Sequence, residues 1–327
     1  MTRKEIVKRA LKMQNPGRVP LFIFNGDLTD TDIYQVVLED WYMGKDRDLT
    51  EWGFYWNKDQ DDPAGMGVPR DIFIKDWADF EDYKKNHAPD PYRADRFKEA
   101  DAARAEVEDR YFMGSLYLTG FTTMTFLRGF ENLLMDLYEE PEKVKELAEF
   151  VFGIENEIIK QMPAHGFDAV SLFDDWGTQR SMMISPDMWR DIFKPFYKQQ
   201  CELAHSLGLD VFFHTCGYVY PIIGDLIECG IDMINLGQAD INDPEKIRAE
   251  FKGKVCFAQP INYQTTGLFG TKEEIYAEAR EIMRCFGGPE GGLIAELFDY
   301  ELMGWKPKYP ENSEYTKRAF IEQTVQP

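Results

Sequence analysis

From residue 110 onward the sequence repeats one unit: a short apolar run, then a stretch punctuated as a helix, then a turn. The apolar runs are "YFMGSLYLTG" (111–120), "DAVSLF" (168–173), "LDVFF" (209–213), "DMINLGQ" (232–238), "KVCFA" (254–258) and "GLIAE" (292–296). Helix signals fill the gaps. One helix is expected near 130–139 and a longer one from Pro141 to about Met162. Ser185 and Pro186 provide an N-cap and a first-turn proline, Pro195 should kink that helix and Gly208 should close it. Gly230 stops a helix over 220–229, and Asp243-Pro244 opens one that Gly253 ends. Thr271 and Glu274 form a capping box for a helix to about Cys285, and a terminal helix follows near 311–323. Strands that alternate with helices lie parallel, because a hairpin cannot join them.

The first 110 residues are less regular. Thr2 and Glu5 form another capping box, and "VPLFIF" (19–24) reads as a buried strand. From 28 to 110 there is no clean period. "EWGFYWN" (51–57) reads as a strand, its aromatics as wall and core, and "DDPAGMGVPRD" (61–71) as a long loop. With 51–57 counted, about eight strands fall in one chain of 327 residues. No early G-x-G-x-x-G marks a dinucleotide-binding sheet. The expected fold is a (β/α)8 barrel with an irregular N-terminal insertion, in a single domain over 1–327.

Charge narrows the partners. With 37 Lys and Arg against 58 Asp and Glu, the formal charge is −21. Such a surface repels phosphate backbones and anionic lipid, so neither nucleic acid nor a membrane is expected as a partner. The start carries no apolar leader, and no window approaches the ~18 apolar residues that span a bilayer. Five cysteines without a disulfide framework fit a reducing, cytoplasmic setting.

In a barrel of this kind the chemistry lies at the carboxyl ends of the strands. Those ends carry Asn25, Asp27, Thr119, Asp174, Asp175, Gln179, His214, Cys216, Gln238, Gln259, Glu296 and Asp299. His214 and Cys216 stand two positions apart, and residues so spaced in an extended segment point the same way. Together they can hold one zinc ion. The plainer alternative is a capping turn, "HTCG", with a buried thiol. A catalytic zinc takes three protein ligands. Cys201 lies mid-helix, Cys229 and Cys285 at helix ends and Cys256 inside a strand, so none is a good third. Glu296 is the better candidate, with Asp174 or Asp175 next; a substrate-binding carboxylate is the other reading of Glu296. "DDWGTQR" (174–180) either binds substrate hydroxyls or amines or caps a helix. Asp174, Asp175 and Glu296 are the expected catalytic carboxyls, and Asn25, Asp27, Gln179 and Gln238 the expected substrate contacts. "HSLG" (205–208) is half of a corrinoid-binding D-x-H-x-x-G, but Leu203 stands at the Asp position, so it reads as a helix end.

Four stretches carry a family resemblance: "ALKMQNPGRVPLF", "DLTEWGFYWNK", "FDDWGTQRSMMISPDMWRDIFKPFYK" and "FFHTCGYVYPIIGDLIECGIDMINLGQ". They resemble the uroporphyrinogen decarboxylase superfamily, and within it the corrinoid-linked methyltransferase branch, over nearly the whole chain. The resemblance implies a (β/α)8 barrel and a zinc ion bound through His214 and Cys216. In the coenzyme M branch a later cysteine completes the set; here that region reads "GLIAELFDY", with Glu296 nearby. It further implies that a methyl group moves from a small methoxylated or methylated donor to the cobalt of a separate corrinoid (cobalamin) protein. On that analogy Asp174 or Asp175 would orient the substrate or supply a proton. O-demethylation in anaerobic metabolism is the implied role and a homodimer the implied assembly. The decarboxylases themselves carry an arginine-rich segment after the first strand, where this chain reads "FIFNGDLTDTD". A metal-free decarboxylase of another acid and a non-catalytic small-molecule-binding barrel are the alternatives.

Overall fold

The computed structural model describes residues 1–24, 30–39, 49–57, 68–70, 72–288, 290–300 and 303–324. Eight strands form one sheet: β1 (Leu21–Phe24), β2 (Ile33–Val37), β3 (Tyr111–Ser115), β4 (Ala169–Phe173), β5 (Asp210–Thr215), β6 (Met233–Leu236), β7 (Cys256–Pro260) and β8 (Leu293–Phe298). The ladder runs β2-β3-β4-β5-β6-β7-β8-β1 with every adjoining pair parallel. The fold is a (β/α)8 barrel, as expected.

One member of the expected eight is different. Residues 51–57 do not enter the barrel: Tyr55–Asn57 pairs antiparallel with Val68–Arg70 in a separate hairpin. The second barrel strand is Ile33–Val37, from the stretch without a clean period. It is only five residues long and lies between two buried acids, Asp32 and Glu39, so its apolar run is short and closely bounded. The chain between β2 and β3 is the irregular insertion and includes the short helices Asp79–Asn86 and Lys98–Arg104. Arg96 pins it to the barrel. Its guanidinium donates to Glu51 at 2.8 Å and to the carbonyl of Leu38, just past β2, also at 2.8 Å.

Side chains alternate along the strands, and this alternation makes two cores. Phe22, Ile33, Met113, Phe212, Met233 and Ile294 fill the barrel interior. Phe112, Leu172, Phe213, Ile234, Phe257 and Ala295 pack outward on the helices. The helix punctuation is as the sequence indicates. Thr2 and Thr271 make complete capping boxes, and Ser185 caps Pro186–Ile192. A second helix, Lys194–Ser206, starts beside Pro195, and Gly208 and Gly230 adopt left-handed φ of 78° and 104°. Among the described residues no helix is long and apolar enough to cross a membrane.

The barrel closes between β1 and β2 mainly through side chains. Asp32 is fully buried. Its carboxylate accepts from the Leu21 amide at 2.8 Å and from both terminal nitrogens of Arg18, at 2.6 and 2.7 Å. Its own amide donates to Leu21 O at 2.8 Å, and the Ile23 amide donates to Thr31 Oγ1 at 3.1 Å. A bidentate pair of this kind is strong and directional. Breaking a fully buried pair costs ~3–5 kcal/mol, but the Arg18 side chain is 32% exposed, which screens part of the interaction. Asp32→Ala is therefore expected to lower the unfolding free energy by about 2–3 kcal/mol, read as a lower urea midpoint at unchanged slope.

Candidate metal centre at the barrel mouth

His214, the last residue but one of strand β5, faces the barrel axis, and Cys216 follows just beyond the strand on the same side. The Cys216 Sγ lies 3.4 Å from His214 Nε2. Asp175, in the turn after β4, brings Oδ1 to 3.8 Å from the same nitrogen and accepts the Cys216 amide at 2.7 Å. One ligand atom from each of Asp175, His214 and Cys216 lies within 4.8 Å of the other two, and all three residues are partly open to solvent.

Two glycine contacts make this convergence possible. Gly217 has φ +81°, and a Cβ there would lie 2.2 Å from the carbonyl carbon of Gly177. The "DDWG" and "HTCG" turns thus pack backbone on backbone, which carries Asp175 to Cys216. Gly237, just past β6, leaves room for the thiol: a Cβ at that position would lie 2.6 Å from Cys216 Sγ.

The expected site residues divide into several groups. Glu296 is inward-facing on β8 but is not in the three-residue cluster. It is reached through Asn235, whose Nδ2 donates to Glu296 Oε2 at 2.8 Å and whose Oδ1 bonds His214 Nδ1. Burial pushes the Glu296 carboxyl up to about 8, and the Asn235 bond only partly opposes this. Burial, with Asp175 next to it, also pushes the Cys216 thiol up. Asp174 points away from the mouth. It accepts from the Phe121 and Thr122 amides, both at 2.8 Å, from Thr122 Oγ1 at 2.7 Å and from the Tyr197 hydroxyl. Glu155 accepts the Gly120 amide at 2.7 Å. The two carboxyls together serve the open N-terminus of helix Gly120–Arg128. Burial raises Asp174 to about 7 and Glu155 to about 8. Asp174 is thus in the helix-capping role weighed for its motif.

Gln238 supports the turn after Cys216, accepting the Gly217 amide at 2.7 Å. Gln179 is exposed on the far side of the Gly177–Met182 bridge. Thr119 is buried at the start of helix Gly120–Arg128. Gln259 shares a face with Ala295 and points outward, beneath the helices, with neither amide atom hydrogen-bonded. Asn25 and Asp27 lie outside the described residues.

Sequence reasoning missed Asn235 and an aromatic wall around the mouth. Phe173 lies 4.9 Å from the His214 ring, centroid to centroid, and Phe24 lies 6.3 Å from Phe173 and 6.0 Å from Phe298. Tyr263 packs on Phe298 at 4.9 Å and stacks on Trp305 at 5.2 Å. All but Phe173 keep part of their surface open. No local pattern in the sequence links these residues, which come from five separate segments.

Comparison with known proteins bears on this geometry. The profile described as uroporphyrinogen decarboxylase (URO-D) matches residues 67–297. The uroporphyrinogen decarboxylase of Chlorobaculum parvum is 30% identical over 163 residues, which are 49% of this chain and 44% of that protein. That of Chlorobium limicola is 31% identical over 160 residues, 46% of this chain and 41% of the relative. These matches span less than half the length of the curated relatives. A solved structure titled as a methyltransferase from Methanosarcina mazei superposes with a TM-score of 0.69 over 99% of this chain and 100% of its own, at 15% identity. That likeness is one of fold.

The buried Glu296 carboxyl gives a test of the site's electrostatics. In the folded chain it stays protonated up to about 8; in the unfolded chain it ionises near the ordinary 4.5. Unfolding therefore releases a proton between those values, so this stabilising contribution is full below about pH 4 and is lost as pH rises through about 8. Relative to Glu296→Gln, which does not titrate, the metal-stripped wild-type protein is expected to lose melting temperature steadily from about pH 5 to 8. Parallel melting curves for the two proteins would contradict this.

Proposed function

The chain belongs to the uroporphyrinogen decarboxylase family, and from that premise we propose that it is a zinc-dependent methyltransferase, taking a methyl group from a small methoxylated donor for the cobalt of a separate corrinoid protein. The observation that carries this reading is the convergence of an imidazole, a thiol and a carboxylate from β4 and β5 at the open end of the barrel. Nitrogen, sulfur and oxygen donors in a set of three suit a catalytic zinc with one position left for substrate. The absence of a side chain at Gly237 lets the Cys216 sulfur sit beside the His214 ring without a clash. Asp175 is the third donor in this reading, and Glu296 has a different task.

Zinc held by His214, Cys216 and Asp175 supplies Lewis acidity toward an ether oxygen. The chain's own residues do the rest. The partly open rings of Phe24, Phe298, Tyr263 and Trp305, set mostly edge to face, offer an apolar wall for a methoxylated aromatic ring. When the methyl carbon–oxygen bond breaks, its electron pair would stay on oxygen, and the reduced corrinoid of the partner would supply the pair for the new bond to the methyl carbon. The oxygen then needs a proton. Glu296, a buried carboxyl whose proton burial favours in the metal-free chain, is placed to supply it. Asn235 holds that carboxyl toward the site.

The curated relatives carry the name of a decarboxylase, so decarboxylation is the second reading. Porphyrinogen carboxylates call for cationic partners, yet "FIFNGDLTDTD" has no arginine and the chain carries a charge of −21. The two readings separate in one assay. Purified protein loaded with zinc is given methoxylated aromatic compounds, with and without a reduced corrinoid protein. Demethylation that needs the corrinoid protein, with about one zinc per chain, is the expected result. His214→Ala and Cys216→Ser should lose the metal, Asp175→Asn should weaken it by about 10-fold or more and Glu296→Gln should keep it. Unchanged zinc in the first two variants, or carbon dioxide release without any corrinoid protein, would refute the methyltransferase reading.

A further inference from the structure

We propose that Asn235 fixes the tautomer of His214, so that Nε2 always presents its lone pair to the point shared by Cys216 and Asp175. The inference rests on the metal reading above and assigns Asn235 as a positioning residue.

His214, Asn235 and Ala258 occupy one row of the parallel ladder across β5, β6 and β7. Asn235 is fully buried, so water does not compete for its amide. One end of that amide lies 2.6 Å from the carbonyl oxygen of Ala258. A carbonyl can only accept, so this end is the NH2 group. Its other hydrogen goes to Glu296 Oε2 at 2.8 Å. The opposite end is therefore the oxygen, which can only accept, and it meets His214 Nδ1. In the neutral imidazole Nδ1 must then carry the hydrogen, which leaves Nε2 bare. Nε2 is the nitrogen 3.4 Å from Cys216 Sγ and 3.8 Å from Asp175 Oδ1. Phe173, packed on the imidazole at 4.9 Å, opposes a ring flip that would exchange the two nitrogens. The polarity of one main-chain carbonyl is thus relayed through an amide to the ligand atom.

The test reads the tautomer directly. The chain has four histidines, so the long-range nitrogen–proton spectrum of the imidazoles is small, and His214→Ala identifies the relevant set. It is recorded on metal-stripped full-length protein at about pH 8, above the ordinary imidazole value of ~6.5. The expected spectrum has a protonated Nδ1 and an unprotonated Nε2 in the wild-type protein. Asn235→Ala should convert His214 to a tautomer mixture and weaken zinc binding about 10–100-fold in a chelator competition. A wild-type spectrum with the hydrogen on Nε2, or an Asn235→Ala protein with both tautomer and zinc affinity unchanged, would overturn the inference. The wild-type spectrum decides even if the variant does not fold. A wild-type protein that shows the expected tautomer but binds no zinc would refute the metal reading and leave the role of Asn235 supported.

Discussion

The mouth of this barrel depends on parallel strands running in step. Phe173, His214, Asn235, Ala258 and Ile294 form a single row across β4 to β8. Because side chains alternate at a period of two, the whole row faces inward or none of it does. A slip of one residue in β6 would send Asn235 under the helices and bring Ile234 to face His214. No local interaction at the site could repair that. The register is held from outside, by the apolar layer of Phe213, Ile234, Leu236 and Phe257 against the helices.

Charge is handled differently on the two sides of one turn. Asp174 and Asp175 are neighbours in sequence and point to opposite sides. Asp174 is sealed in the wall, where amides and hydroxyls surround it and it holds a helix end in place. Asp175 is partly exposed and faces the imidazole and the thiol. Glu155 and Glu296 repeat the contrast, one serving a helix and the other the mouth. Glu296 is buried like Glu155, so what separates the two is the partner each meets: a helix amide for one, Asn235 for the other.

How much of this was legible in the sequence depended on the range of the signal. Caps and stops are local, so Thr2, Ser185, Gly230 and Thr271 announced their helices correctly. The barrel followed from the repetition of strand and helix, and His214 and Cys216 could be paired because they are two residues apart. The second barrel strand was missed because Ile33–Val37 is short and flanked by acids, while the more aromatic 51–57 drew the assignment. The third member of the cluster was open between Glu296 and an aspartate because the choice depends on Gly177 meeting Gly217, a contact between two turns. Asn235 was hidden inside "DMINLGQ", where a single amide looks like a minor interruption of an apolar run. The aromatic wall had no signature, since five segments contribute to it.

That contact between the two turns has a mechanical meaning. With no side chain between them, the loop after β4 and the loop after β5 form one rigid piece, fastened by the Gly177 amide on the Cys216 carbonyl and the Tyr218 amide on the Thr178 carbonyl. Neither loop can be lengthened, shortened or regrafted alone. The exposed tip, Gln179 to Ser181, is where variation can be absorbed, and it lies outside the clamp. A barrel of this construction can change what it recognises at its other loops while this pair stays fixed in shape.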